Sequence, residues 1–125
     1  MSYNITQEKT FAFAVRMTKL YMHLIDKRVI ELASQIWRSG TSIGANIEEA
    51  LGAQSDRDFY MKVSIAYKEA RETHYWLRLI KETSMIEANL ADSLLSDCGE
   101  LLKIIGTIKK KLQLKLTKAA NPLKS

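Results

Sequence analysis

Residues 37–55 read WRSGTSIGANIEEALGAQS, and this run of small residues decides how the chain folds. Three glycines lie in it, namely Gly40, Gly44 and Gly52. Each glycine costs a helix interior about 1 kcal/mol relative to alanine. A helix that keeps three of them gains, as a rule, close approach to a neighbouring backbone. We therefore expect another helix to pack tightly against this stretch at the glycines.

The composition of the whole chain indicates one helical domain. The 125 residues are 46% hydrophobic and 26% charged, and they include a single proline. This size suits one domain over residues 1–125, and the abundance of Ala, Leu, Lys and Glu favours an all-α class. No apolar run approaches the roughly 20 residues that cross a bilayer. The only cysteine, Cys98, excludes an internal disulfide, so we expect a cytoplasmic protein without a membrane segment.

Apolar residues recur in alternating steps of four and three, which is the spacing of helices packed nearly side by side. The predicted helices span about 6–26, 29–53, 56–82 and 87–117. We expect Ser55 to cap the third helix and Gly52 to end the second in a left-handed conformation. Short connections predict an antiparallel up-down-up-down four-helix bundle. The predicted core seams are Val29, Ala33, Ile36, Gly40, Ile43, Ile47 and Ala50; Phe59, Val63, Ala66, Ala70, Thr73, Leu77 and Ile80; and Ala91, Leu94, Cys98, Leu101, Ile105, Ile108 and Leu112.

The first helix carries two adjacent apolar stripes, which is more than one face of a small bundle needs. We expect part of this helix to be buried by another subunit. The stripes are Phe11, Val15, Thr18, Met22 and Ile25, and beside them Ala14, Met17, Tyr21 and Leu24.

Positive charge is concentrated at the C-terminal end of the chain. Residues 1–102 hold 12 Lys+Arg and 14 Asp+Glu, a net charge of −2, whereas residues 103–125 carry +7 and no acid. Such a segment attracts nucleic acid or another anionic surface. It is also typical of a solvated helix end, where lysine complements the helix dipole. The seven lysines are Lys103, Lys109, Lys110, Lys111, Lys115, Lys118 and Lys124.

The residue pattern does not predict an enzyme, a metal site or a cofactor. A di-iron bundle needs Glu-x-x-His motifs, and neither His23 nor His74 follows an acid by three residues. Acidic pairs such as Glu48 and Glu49 are reminiscent of the all-helical magnesium-dependent nucleotide pyrophosphatases. The Glu-x-x-Asp step of those enzymes is absent here. Cys98 lies on a predicted core seam and is interpreted as a small hydrophobe rather than a nucleophile.

Polar residues beside the seams of helices two and three suggest a structural network instead. A carboxylate near a bundle core needs partners, because an unpaired buried charge costs several kcal/mol. We hypothesise that a network fixes the register of these two helices. Its predicted members are Arg38, Ser42, Asn46, Glu49, Glu69 and Glu72.

Five segments resemble a known four-helix-bundle family, the proteins encoded by intervening sequences in 23S ribosomal RNA genes (S23 ribosomal protein-like). The resemblance covers nearly the whole chain, with Glu48 a small departure where the family favours alanine. It implies an antiparallel bundle assembled as a ring-shaped homopentamer. It also implies kinship with the accessory protein of diversity-generating retroelements, a basic pentamer that binds nucleic acid. The segments are FAVR (13–16), RSGTSIGANIEEA (38–50), GAQS (52–55), KEARETHYWL (68–77) and SLLSDC (93–98).

Two functional hypotheses follow. The first is a non-enzymatic pentamer that binds structured RNA or an RNA–DNA intermediate through phosphate contacts. The alternative is a protein-interaction scaffold for a partner enzyme, favoured if the lysines are scattered rather than grouped on one face. Tyr67, Tyr75 and Trp76 fit packing or an interface better than base stacking. The predicted nucleic-acid contacts are Lys103, Lys109, Lys110, Lys111, Lys115 and Lys118.

Overall fold

The computed structural model describes residues 3–121 and 123, and this part of the chain contains four helices and no strand. The helices are α1 (Asn4–Asp26), α2 (Ile30–Leu51), α3 (Asp56–Glu82) and α4 (Ala88–Ala120). The predicted bounds agree with these to within two residues, except that α4 continues three residues further. Pro122, expected to end α4, lies outside the described residues.

The buried residues of α2, α3 and α4 follow the predicted seams. Every predicted seam residue of α4 is buried, from Ala91 to Leu112, and in α3 only Phe59 is half-buried. In α2 only Val29, which precedes the helix, is half-buried. Helix α3 begins as predicted, because the Ser55 hydroxyl accepts a hydrogen bond from the Asp58 amide at 3.0 Å. Alternating steps of four and three therefore give the correct phase for three of the four helices.

Helix α1 faces the core with part of the second predicted stripe and with residues that belong to neither stripe. Of the two predicted stripes, only Met17 and Leu24 are buried, while Phe11 and Met22 are 67% and 61% exposed. The additional buried residues were missed because α1 carries apolar side chains on several faces, and its buried face includes two threonines that the apolar pattern passes over. The buried residues of α1 are Thr6, Thr10, Phe13, Met17, Leu20 and Leu24.

Two of the three glycines in the 37–55 stretch bring α1 and α2 together as predicted. A Cβ at Gly40 would overlap the side chain of Met17. A Cβ at Gly44 would lie 3.2 Å from the Thr10 carbonyl oxygen of α1. Only glycine lets the two helices approach this closely without a shift of one of them.

Gly52 does not take the predicted left-handed conformation. It follows α2 with φ −95° and ψ 9°, and its amide donates to the Glu49 carbonyl at 3.1 Å. The left-handed residues lie in the other two connections, at Arg28 (φ 65°) and Ser84 (φ 55°). The chain therefore makes these reversals with ordinary residues in a conformation that favours glycine.

A pair of buried hydroxyls lies between α2 and α3. The Ser39 and Thr73 oxygens are 2.9 Å apart, and Thr73 Oγ1 is also 2.8 Å from the Glu69 carbonyl oxygen. Both side chains are buried. Further along this junction, Glu49 of α2 meets Lys62 of α3.

Helices α1 and α4 pack less extensively than the sequential pairs. Two ion pairs span their junction, Lys9–Glu100 at 3.1 Å and Arg16–Asp97 at 2.6 Å. All four side chains are partly exposed, so each pair contributes little to the free energy of unfolding. The bundle is consequently most open between its first and last helices.

Candidate nucleic-acid interface

The lysines near the end of α4 fall into two groups according to their contacts. Lys109 is half-buried, with its ammonium 5.1 Å from the centre of the Tyr67 ring, and Lys115 pairs with Asp56 at 3.1 Å. The other four are exposed and form no ion pair with any described residue; they are Lys103, Lys110, Lys111 and Lys118. Lys124 lies outside the described part of the chain.

The six described lysines spread around α4 instead of forming one face. Lys109 points toward α3. Lys103 and Lys110, about two turns apart, lie opposite the buried seam. Lys111 and Lys118 follow Glu100 by about three and five whole turns, so they share the side that Glu100 turns toward α1. On a single chain, the lysines of α4 are therefore not grouped on one face. This spread, considered by itself, favours the scaffold hypothesis.

Helix α3 adds basic residues that the sequence analysis overlooked. Lys68, Arg71 and Arg78 are exposed, and none of them forms an ion pair within the described residues. Glu69 and Glu72, the only acids in α3 between residues 59 and 81, face α2 instead. The outward side of α3 is therefore cationic, and it adjoins Lys109 across the α3–α4 junction. We call the set Lys68, Arg71, Arg78, Lys103, Lys109 and Lys110 the α3–α4 basic face.

A sequence signal for this face exists. Lys68, Arg71, Tyr75 and Arg78 are separated by steps of three, four and three. This is the same periodicity that identifies the core seam, shifted to the opposite side of the helix. The distribution of charge along the sequence indicates only the C-terminal lysines. The basic residues of α3 are recognised only from their helical spacing.

Three of the six predicted network residues come together at the α2–α3 junction. Arg38 forms ion pairs with Glu69, at 3.2 Å, and with Glu72. Trp76, which the sequence analysis did not include, donates from Nε1 to Glu72 at 3.0 Å. The Glu69 side chain is 16% exposed, which makes it the most buried charge of the group. These contacts give the junction a defined set of charge-assisted hydrogen bonds.

The other three predicted members have different partners. The Ser42 hydroxyl donates to the Arg38 carbonyl at 2.7 Å, and the Asn46 amide donates to the Ser42 carbonyl at 2.8 Å. Both bonds stay within α2, because short polar side chains on a helix readily reach the carbonyl four residues back. Glu49 pairs with Lys62 at 2.9 Å, and this contact raises the Lys62 pKa.

Exposed apolar side chains form a strip on α1 and the adjoining side of α2. Trp37 stacks on Tyr21 with ring centres 4.5 Å apart, and its indole nitrogen donates to the Thr18 hydroxyl at 3.1 Å. An apolar surface of this kind is a common mark of a protein–protein contact. We call it the α1–α2 apolar strip; its members are Phe11, Val15, Met22, Ile30 and Trp37.

The chemistry of the remaining titratable side chains is limited. Burial raises the pKa of the Cys98 thiol to about 12, and its sulfur lies 3.4 Å from the Ala70 carbonyl oxygen. Burial, followed by the nearby Arg78 and Arg71, lowers the pKa of His74. Among the described residues, His, Cys, Asp and Glu side chains do not gather in groups of three or more as a metal site requires.

None of the helices in the described part of the chain is long and apolar enough to span a membrane.

Comparisons with known proteins agree on one family. A family model described as "23S rRNA-intervening sequence protein" matches residues 3–107. A similar solved structure is that of a protein of unknown function from the S23 ribosomal protein family of Bacteroides thetaiotaomicron. It is 44% identical in sequence, covers 84% of this chain and 98% of its own chain, and has a TM-score of 0.82. A comparison with curated proteins returned no match. Six of the seven C-terminal lysines follow residue 107, the last residue that the family model matches.

Proposed function

The chain belongs to the 23S rRNA-intervening sequence protein family, and from this premise we propose that it is a non-enzymatic, homopentameric protein that binds nucleic acid. The ligand is structured RNA or an RNA–DNA intermediate, and the site of action is the cytoplasm. The observation that carries the proposal is the α3–α4 basic face, whose charges are not neutralised by described acids. The face meets phosphate groups, which dominate the affinity of proteins for nucleic acid.

The proposed protomer is an antiparallel up-down-up-down bundle. The order of contacts supports this arrangement: Gln7 bonds to Glu48 and Thr18 to Trp37, so that residue numbers rise along α1 as they fall along α2. The same reversal holds between α2 and α3, at Ser39–Thr73 and Glu49–Lys62.

The proposed assembly is a ring of five, a number suggested by the family resemblance. The α1–α2 apolar strip supports self-association. When another subunit covers water-exposed side chains such as Phe11 and Met22, the free energy of the assembly falls. Five copies also multiply the +7 of residues 103–125 to +35 on one particle. Multivalent contact of this kind raises avidity without any new contact in each subunit.

A second candidate function is a protein-interaction scaffold for a partner enzyme. The observation that favours it is the spread of lysines around α4, where Lys111 and Lys118 lie away from the α3–α4 basic face. In that case the α1–α2 apolar strip and the lysines of α4 both contact a protein partner.

The decisive experiment measures binding of labelled structured RNA and duplex DNA across a salt series. The wild-type chain is compared with Lys103→Glu/Lys110→Glu, two lysines of the α3–α4 basic face. The control is Lys19→Glu/Lys27→Glu, which changes the net charge equally in α1 and at the residue that follows it. All four lysines are exposed, and none pairs with a described acid. Light scattering on the same samples measures the assembly mass, expected at about 72 kDa, five times the 14.3 kDa chain.

We expect micromolar or tighter binding that weakens steeply with salt. The α4 variant is expected to bind more than 10-fold more weakly with a shallower salt dependence, and the α1 control to stay within about threefold. An assembled protein that binds neither ligand at low salt would overturn the proposal and favour the scaffold. Equal losses in the two variants would show a general effect of net charge and would reject the named surface.

A further inference from the structure

A groove runs along the α3–α4 junction at the end distant from the C-terminal lysines. Its volume is ≈ 570 Å³, and it is an open depression on the surface. Tyr75 and Arg78 line it from α3, and Leu95 lines it from α4. Arg71 lies one turn before Tyr75 on the same helix, so the groove continues the α3–α4 basic face. The other lining residues are His74, Leu79, Lys81 and Glu82.

Tyr75 is held in place inside this groove while half of its surface remains exposed. The ring packs edge-on against Trp76, with ring centres 5.1 Å apart and planes at 70°. Trp76 is itself held by its hydrogen bond to Glu72. The guanidinium of Arg78 lies 5.8 Å from the Tyr75 ring centre. Tyr75 is therefore an oriented ring that is 51% exposed next to a cation.

The other aromatic rings differ from Tyr75 in this combination. Tyr67 is covered by Lys109, and Trp37 stacks on Tyr21. Phe11 is more exposed but belongs to the α1–α2 apolar strip. Among the described rings of α3 and α4, Tyr75 thus combines an open surface with a nearby guanidinium.

The charges around the groove favour an anion. Lys81 is engaged by Asp92 at 2.6 Å, which leaves Arg78 and Arg71 as the cations available to a ligand. Glu82 is the acid in the lining. The two arginines act on His74, whose pKa is lowered first by burial and then by Arg78 and Arg71. An aromatic ring with arginines on both sides along one helix suits a base flanked by phosphates.

We propose that this groove binds an unpaired nucleobase, which stacks on Tyr75 while Arg71 and Arg78 contact the flanking phosphates. The inference rests on the proposed nucleic-acid function and adds a preference for single-stranded segments. A duplex keeps its bases stacked on one another, so it offers phosphates to the basic face but no base to Tyr75. The sequence analysis favoured packing for Tyr75, and its exposure in the groove is the reason for the revision.

The test compares an oligouridine with a duplex of equal length at one salt concentration, using the full chain. Tyr75→Ala is expected to weaken oligouridine binding about 10-fold and duplex binding less than twofold. Tyr75→Phe keeps the ring and is expected to bind oligouridine like the wild type. Leu114→Ala is the control, because it removes a similarly exposed apolar side chain that lies outside both the groove and the α1–α2 apolar strip. Tryptophan fluorescence is a second measurement, because Trp76 packs against Tyr75 whereas Trp37, the other tryptophan, stacks on Tyr21 outside the groove. We expect the emission to change with oligouridine but not with duplex.

Each outcome has a distinct meaning. Unchanged oligouridine binding by Tyr75→Ala, or equal losses for oligouridine and duplex, would overturn the groove proposal while leaving phosphate binding intact. Failure of the wild-type protein to bind either ligand would overturn the proposed function as well. A melting curve and assembly mass for each variant ensure that a loss of binding is not a loss of folding. If Tyr75→Ala misfolds, Tyr75→Leu provides the same comparison, because it removes the aromatic ring and keeps an apolar side chain beside Trp76.

Discussion

The stretch 37–55, most of which lies in α2, and the end of α4 beyond Ile108 differ in the size and charge of their side chains. The first consists of small residues, and Gly40 and Gly44 lie in contact with α1. The second is rich in lysine, and its last buried side chain among the described residues is Leu112, although the helix continues to Ala120. The family match includes the first region and stops at residue 107, before the second.

This difference separates what specifies the fold from what specifies binding. At Gly44 a single added methyl group meets the backbone of α1, and at Gly40 it meets the Met17 side chain, so packing restricts these two positions. At the end of α4 almost every side chain meets solvent, so its residues are free to change without disturbing the core. We therefore expect substitutions in α2 to act on stability and substitutions in α4 to act on ligand binding.

The largest expected effect is that of Gly44→Leu. The new side chain would start 3.2 Å from the Thr10 carbonyl oxygen, which belongs to a helix backbone and cannot rotate away. We expect a loss of about 3 kcal/mol in the free energy of unfolding, equivalent to roughly 10 °C in melting temperature. Gly99→Leu is the control, because nothing lies within 4 Å of a Cβ at that position. Similar melting temperatures for the two variants would refute the tight α1–α2 contact.

A smaller effect is expected at the buried hydroxyl pair. Thr73→Val leaves the Ser39 hydroxyl without its partner across the junction and is expected to cost about 1–2 kcal/mol. Ser39→Ala should cost a similar amount. Because each change removes the same interaction, the double variant should lose less than the sum of the two. Additive losses in urea denaturation would indicate that the two hydroxyls do not act as a pair.

The ion pairs of the two regions are expected to differ in strength. Arg38→Met leaves the largely buried Glu69 and its neighbour Glu72 unpaired and is expected to cost about 1 kcal/mol. Lys115→Met breaks an exposed pair with Asp56 and is expected to cost about 0.5 kcal/mol or less. Denaturation in low and high salt checks the contrast, since screening acts on the exposed pair first. A larger loss at Lys115 than at Arg38 would reverse our view of the two regions.

Removal of residues 114–125 is also expected to have only a small effect on stability. These residues follow the last buried residue of α4, and Leu114 is largely exposed. We expect less than about 1 kcal/mol of change in the free energy of unfolding, because little apolar surface is uncovered. The salt dependence of RNA binding should fall, because Lys115, Lys118 and Lys124 are lost. A truncated chain that no longer folds would make the end of α4 part of the core after all.

The sequence predicted most of the helical core because packing imposes a regular spacing. The seam of α4 is correct at every position, whereas for α1 two stripes were predicted and the residues that face the core were not singled out. Spacing alone does not choose among several apolar faces, and Thr6 and Thr10 hide the buried one. The choice depends on how α1 meets Gly40 and Gly44, which is a property of the folded pair of helices.

The candidate sites were predicted less completely. Charge complementarity identified Arg38 with Glu69 and Glu72, but it did not anticipate that Asn46 bonds to its own helix. The basic residues of α3 were missed because they are spaced by turns and not adjacent in sequence. The groove at Tyr75 depends on a neighbour from α4, so no pattern within α3 alone describes it.

The buried thiol of Cys98 gives the protein a built-in reporter of its own opening. Alkylating reagents are attacked by the thiolate. The Cys98 thiol lies within the core, and its pKa is raised to about 12, so little thiolate is present. Modification therefore requires the bundle to open, and its rate follows the frequency of opening at the α3–α4 junction. Mass spectrometry after a short pulse of maleimide counts one site per chain, with no engineered label. The same measurement with RNA present would report whether a bound ligand holds the junction closed.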